Sequence, residues 1–442
     1  MTVAGREPQL RTSVRIQASI DQLTAVERSL LFDRSTSSDV DIRSATSDII
    51  ARVRGRGDAA LRDLARLHDG VDLESIEVPR EARARALNAL APALRRTMER
   101  AAKNIATVHA AGMPSATTVT PEPGLTVVRR PDPLSRVGVY APGGRAAYPS
   151  SVLMSAVPAR LAGVGEVILC SPPTASGKPS DIVLAAAEIA DVDRVFAIGG
   201  AGAIAAMAFG TESVPRVDRV VGPGNAYVAE AKLQLAGQVG VDLPAGPSEL
   251  CVIADSACDP RAVAVELAAQ AEHDPLACVV AVAIGEETAN DIVRALGEIV
   301  VDQPRRIIIE QALESRGAIL SARHIDQAIA FANEYAPEHL LLMVEEAGSV
   351  LPTVRNAGTV FVGAATSVAF GDYMTGANHV LPTGGLARSY SGLSVADFFR
   401  WTTIQTATPL AAGALADDVA RFAEAEALPG HALAARRAGA NT

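Results

Sequence analysis

The chain has 442 residues, of which 49% are hydrophobic, 20% charged and only 4% aromatic, and it carries a net charge of −10. That balance belongs to a globular protein with a sizeable core filled mainly by Ala, Val and Leu. The acidic surface argues against a nucleic-acid or anionic-membrane partner and points to a small-molecule substrate.

The N-terminal stretch is broken by Arg15, Asp21, Glu27 and Arg28, which excludes a signal-peptide core, and no apolar run reaches the length of a membrane span. Cys170, Cys251, Cys258 and Cys278 form no CxxC pair and sit in or beside apolar runs. They read as buried free thiols, and the chain is expected to be cytoplasmic.

Residues 1–37 read as a polar arm with a short helix. From Ser38 to His109 the spacing predicts Arg-rich helices, stopped once at Gly70. Near Pro131 the pattern changes. RVGVYAPGG, EVILCSPP and RVFAIGG read as strands, separated by helices around 151–162 and 181–190, and this alternation predicts a parallel, doubly wound sheet. The third strand leads into Gly200-Ala-Gly202-Ala-Ile-Ala205, a G-x-G-x-x-A turn that suits either a dinucleotide pyrophosphate or simply a tight strand-to-helix turn. A Walker A loop at Lys178 is excluded, because Pro172 stands where its first glycine is required. VVGPGNAYVAEAK carries Asn225 between a strand and a helix. In PAGPSELCVIAD, Ser248 lacks the G-x-S-x-G elbow of a nucleophile, so a substrate hydrogen bond or an ordinary turn is expected there.

The segment 259–275 reads as a helix capped by Asp259, with Pro260 at its first position and Pro275 closing it. Gln270 and His273, three apart, are expected on one face near its end. A second α/β unit follows, from ACVVAVAIG and NDIVRALGEIV. Glu338 and His339 come just after Pro337, where a helix should end, and form a candidate carboxylate–imidazole pair for general-base work. FGDYMTGANHVLPTGG holds Asp372 and His379 in a polar, kinked loop. His431 opens a last helix after a Pro-Gly turn. Gln270, His273, Asp372 and His431 together would supply two nitrogens and two oxygens, a donor set suited to Zn²⁺.

Taken jointly, VGVYAPGG, GPGNAYVAEAK, PAGPSE, AQAEHDP, YAPEHL and GDYMTGANHVLPT resemble the histidinol dehydrogenase family in order and spacing, from about Ser38 to His431. The resemblance implies a homodimeric enzyme, with one zinc per subunit, that oxidises L-histidinol through L-histidinaldehyde to L-histidine with two NAD⁺. Related dehydrogenases of other small alcohols, such as sulfonated diols, form the alternative substrate class. A zinc-stabilised structural or nucleotide-sensing protein is the non-enzymatic alternative.

By motif, Gln270, His273, Asp372 and, from the other subunit, His431 match zinc ligands and also border the substrate. Glu338 and His339 match the catalytic pair. Ser248, His379 and Glu426 match substrate contacts, and Tyr140 and Asn225 match cofactor contacts. Gly202 stands where the family commonly has a cofactor-binding Gln. The implied architecture is two Rossmann-like α/β domains with parallel sheets, one formed by 140–247 for the cofactor and one, discontinuous, by 38–139 and 248–393 for the metal and catalytic residues. A helical segment, 394–442, is expected to contact the dimer partner.

Overall fold

The computed structural model describes residues 14–34, 40–143, 147–242 and 246–440. The calls on residues 1–13 and 35–37 of the arm, and on 38–39 at the start of the following helices, lie outside the described residues.

Two six-stranded sheets organise the chain. In the first, the strand Glu249–Ala254 is central. Cys278–Ile284 and Ala318–Ala322 follow on one side, and His339–Met343 and Thr359–Val362 on the other, all parallel. In the second, Arg136–Tyr140 is central, with Glu166–Ser171 and Arg194–Ala197 on one side and Arg219–Val221 and Gly240–Val241 on the other. Each is therefore a doubly wound, Rossmann-like sheet that reverses its winding beside the central strand. The strands are apolar along their whole length because helices cover both faces; Glu249–Ala254 and Ala318–Ala322 are buried at every residue.

Ile16–Ser19 extends the first sheet by pairing in parallel with Ala318–Ala322, and the short helix expected in the arm follows it as Ala25–Phe32, capped by Thr24. A thin third sheet joins Thr117–Val119, Leu125–Pro133 and Phe399–Ala407 in antiparallel fashion. The segment 394–442 is thus not wholly helical; its helices are Pro409–Ala425 and Pro429–Gly439.

The expected grouping of 38–139 with 248–393 does not match the packing. The helices Val40–Leu64, Arg80–Ala89 and Pro92–Ala110 bury Val53, Leu61, Leu64, Ala82, Met98 and Ile105 in the core of the second sheet, to which Glu77–Val78 adds an antiparallel edge. The reason is steric. Gly202 lies inside the helix Gly200–Phe209, and its bare backbone lets Leu64 approach so closely that a Cβ there would stand 2.9 Å from the Leu64 Cδ1.

Local signals explain the helix ends that position the site. Asp259 accepts from the Arg261 N–H at the start of Pro260–Ala271, and Asn225 accepts from Tyr227 and Val228 at the start of Ala226–Leu235. Each cap stabilises its helix by about 1 kcal/mol. The helix Ile325–Tyr335 stops at Ala336, which adopts a left-handed conformation (φ 51) just before Pro337.

Candidate active site

One cleft of ≈ 920 Å³ runs between the two sheets. The second sheet meets it at the carboxyl ends of its strands: Tyr140 closes Arg136–Tyr140, Gly199 and Gly200 follow Arg194–Ala197, and Pro223 to Asn225 follow Arg219–Val221. This is the crevice that such sheets ordinarily offer to ligands. The first sheet meets the cleft at the opposite ends of its strands. Ser248 precedes Glu249–Ala254, Asp274 and Leu276 precede Cys278–Ile284, and Glu338 and His339 open His339–Met343.

This inversion sets the electrostatics. On the second sheet's side the cleft receives the N-termini of Gly200–Phe209 and Ala226–Leu235, which favour anions. On the first sheet's side His273 and Asp274 lie just past the C-terminus of Pro260–Ala271, where the helix dipole favours a cation.

Glu338 and His339 are both buried on the cleft. His339 belongs to a strand, paired with Leu250 and Thr359, rather than to the expected turn. Its Nδ1 lies 2.8 Å from the Glu249 carbonyl and 3.5 Å from Glu338 Oε2, while Nε2 stands 3.9 Å from Asp372 Oδ1. The Nδ1–H therefore donates to the carbonyl, and Nε2 remains to exchange a proton with whatever occupies the cleft. Burial opposes the charged imidazole, but the Glu338 carboxylate, its hydrogen bond, Asp372 and the Glu249 carbonyl outweigh it and raise the His339 pKa to about 9.

His379 behaves oppositely. Burial lowers its pKa despite Asp372, and the neutral ring donates from Nδ1 to the Asp372 carbonyl (2.9 Å) while Nε2 meets the Ser151 hydroxyl at 3.2 Å.

Asp372 lies in the short helix Val368–Tyr373, not in an irregular loop, and the Val368 N–H binds Glu266 of Pro260–Ala271 at 3.1 Å, so the two helices are tied together. Gln270 is in the last turn of Pro260–Ala271. His273 lies two residues beyond that helix, which ends earlier than the spacing predicts. Gln270 is buried and does not line the cleft; its Nε2 has no partner, so that end of the amide is left to donate or, with the amide turned over, to present its oxygen to a cation.

The cleft thus gathers Ser248, His273, Glu338, His339, Asp372, His379, Tyr140, Gly202 and Asn225. Glu426 and His431 are exposed on the C-terminal helices and do not line it. Among the described residues no three of His, Cys, Asp or Glu form a metal-holding group within this chain. Of the expected ligands only His273 and Asp372 are of those types and reach the cleft.

On the other wall, the buried Tyr140 hydroxyl accepts from the Gly200 N–H (3.0 Å), and Asn225 spends its carbonyl oxygen on the helix cap. Gly200, at φ 62, faces open space, whereas Gly202 faces Leu64. The first glycine shapes the turn and the second packs a helix.

Several site residues carried no separate signal. Glu249, within PAGPSE, is buried and accepts from Arg34 at 2.9 Å and from the Gly384 N–H at 2.7 Å. Ser151 and Asp69 also reach the cleft, and burial pushes the Asp69 carboxyl up.

Two Rossmann-like sheets closing on one polar cleft, with a buried carboxylate–imidazole pair on its wall, define an α/β enzyme of nucleotide-binding architecture. A family model described as histidinol dehydrogenase matches residues 32–438. Histidinol dehydrogenase of Methanosarcina mazei is 44% identical over 393 residues, 89% of this chain and 90% of that protein. The enzyme of Pseudomonas syringae pv. tomato is 44% identical over 401 residues, 90% and 89% respectively. The crystal structure of histidinol dehydrogenase from Elizabethkingia anophelis matches with a TM-score of 0.90 at 32% identity, over 96% of this chain and 98% of that one. The chain belongs to the histidinol dehydrogenase family. No helix among the described residues is long and apolar enough to cross a membrane.

Proposed function

We propose that this chain oxidises L-histidinol through L-histidinaldehyde to L-histidine with two NAD⁺, as a zinc-dependent homodimer with shared active sites. The observation that carries this reading is the buried Glu338–His339 pair, whose Nδ1 is committed to a backbone carbonyl and whose Nε2 is left toward the cleft.

The residues present fit a zinc ion. The Gln270 amide, whose unpartnered end would present its oxygen once turned over, the imidazole of His273 just past the same helix and the carboxylate of Asp372 on the helix tied to it would offer mixed nitrogen and oxygen donors beside a helix C-terminus. His431 of the partner subunit would be the fourth ligand. When bound, zinc would hold the substrate's nitrogens in place, and NAD⁺ would accept a hydride in each oxidation.

His339 takes the hydroxyl proton at Nε2 in the first oxidation. Glu338 removes a proton from the water that attacks the aldehyde before the second. Ser248, His379 and, from the partner, Glu426 orient the substrate. Tyr140 and Asn225 fix the two helix N-termini against which the cofactor's pyrophosphate would lie. Gly202 offers no side chain to the cofactor, so contact there falls to the backbone.

Dimerisation is supported by the C-terminal hairpin. Its own core is only Ala420, Ala423 and Ala432, while Leu410, Phe422 and Leu433 are 82%, 70% and 69% exposed. With Glu426 and His431 on the same hairpin, a second copy would both cover this apolar face and receive the missing ligands.

The test is reduction of NAD⁺ by purified protein with L-histidinol, before and after chelation and zinc restoration. Two reduced cofactors per histidinol, lost on chelation and regained with zinc, are expected; absence of reduction by the zinc-loaded protein would refute the reading.

A further inference from the structure

The catalytic pair does not hold itself in place. Glu338 Oε2 accepts from the backbone N–H of Glu249 at 2.7 Å, and His339 Nδ1 binds the backbone carbonyl of the same residue at 2.8 Å. One residue, the first of the central strand, therefore presents one donor and one acceptor to the two groups.

What fixes that residue is its own side chain. The Glu249 carboxylate is buried and receives Arg34 Nε at 2.9 Å and the Gly384 N–H at 2.7 Å through Oε1, while the Glu338 N–H approaches Oε2 at 3.4 Å. Arg34 is itself almost wholly buried. Its other end donates to the Tyr335 carbonyl at 2.7 Å, and its guanidinium lies 3.5 Å from the centre of the Tyr335 ring. Arg34, Glu249, Glu338 and His339 thus form a buried row in which two neighbouring carboxylates lie between a guanidinium and an imidazole. It begins in the N-terminal arm, 215 residues from Glu249 in sequence, and ends at the cleft.

A fork bonded to a carboxylate and a carbonyl, and stacked on a ring, has one geometry. Burying four charged groups is costly, and apolar side chains would stabilise this core at least as well. A purely structural core has no need of such a row; an active site that must aim two side chains does.

We propose that Arg34 and Glu249 are positioning residues that aim Glu338 and His339 at the cleft. Neither reaches the substrate; both act through the Glu249 peptide. The inference rests on the histidinol-oxidising reading for its effect on rate, but its structural half is independent of the substrate.

Three variants and two readouts test it. Glu249→Gln keeps shape and an acceptor but removes the charge that holds Arg34; Arg34→Met removes the fork, and Arg34→Lys restores the charge without it. The first readout is the ring ¹H–¹⁵N signal of His339 in ¹⁵N-histidine-labelled protein, identified by its loss in His339→Asn. A slowly exchanging Nδ1–H is expected in the wild type and its broadening or loss in Glu249→Gln and Arg34→Met. The second is steady-state kinetics: kcat falling roughly 10- to 100-fold with KM for both substrates within about threefold, as misaimed groups cause, and partial recovery in Arg34→Lys.

A structural role alone would lower Tm and leave both readouts of the folded protein unchanged, and that result overturns the proposal. If Arg34→Met does not fold, the near-isosteric Glu249→Gln decides. If the zinc-loaded wild type leaves histidinol untouched, the functional reading fails while the ring signal still decides the positioning.

Discussion

Replacing Glu338 by Gln should separate the two oxidations. The amide keeps the size of the side chain and an oxygen for the Glu249 N–H, now 2.7 Å away, but it removes a charge 3.5 Å from His339 Nδ1. At that separation the lost attraction is about 5 kcal/mol at an effective dielectric of about 20. The His339 pKa of about 9 is a balance in which burial opposes the charge and Glu338 is the strongest support, so without Glu338 it should fall back to or below the ordinary 6.5.

At pH 7 a group titrating at about 9 is neutral in roughly one molecule in a hundred. In the variant the neutral base predominates, and the acid limb of the first oxidation moves down by at least about 2.5 pH units. Oxidation of the aldehyde loses its water-activating base and should slow by roughly 10²- to 10⁴-fold. The assay is cofactor reduction started separately from L-histidinol and from L-histidinaldehyde, across a pH series. Undiminished aldehyde oxidation, or an acid limb that stays in place, would refute the roles assigned here.

Chelation should abolish activity and Zn²⁺ restore it in the wild type, whereas Asp372→Ala should stay inactive at any zinc concentration that suffices for the wild type, with metal content measured alongside. Mixing inactive His431→Ala and His339→Ala proteins should return about a quarter of wild-type activity, because half of random dimers are mixed and each has one complete site; no recovery would rule out sharing. Lys232→Met should cost about 3–5 kcal/mol in denaturant unfolding. It strands Asp242, whose carboxylate holds Lys232 at 2.5 Å and the Gly222 N–H at 2.7 Å, and loosening that turn should also raise the KM for NAD⁺.

What was legible in the sequence was local or motif-borne. The cap at Asp259, the stop at Gly70, the strands Arg136–Tyr140 and Cys278–Ile284 and the helix end before Pro337 follow from neighbours within a few residues, and the structure has them. What failed was tertiary. The faces of the helices between 40 and 110 are amphipathic whichever sheet they cover, and only long-range contacts such as Leu64 with Gly202 and Asp58 with Thr211 and Ser213 decide between the two. Arg34 reads as one more surface arginine of a polar arm until the fold brings it against Glu249.

The deepest feature had no local trace at all. Both sheets wind alike, so the pattern of strands and helices predicts two equivalent crevices at carboxyl ends. In the folded chain the crevice of the second sheet is closed by the other sheet's amino ends. A sheet of this kind places helix N-termini at one rim and C-termini at the other, so opposing the two unlike rims across a single cleft gives one wall suited to a pyrophosphate and the other to a cation and an imidazolium. Two like rims would have repelled one of the two ligands. The proposed reaction would need cofactor and cation in one cleft, and the inverted docking of the sheets supplies that polarity before any charged side chain is counted.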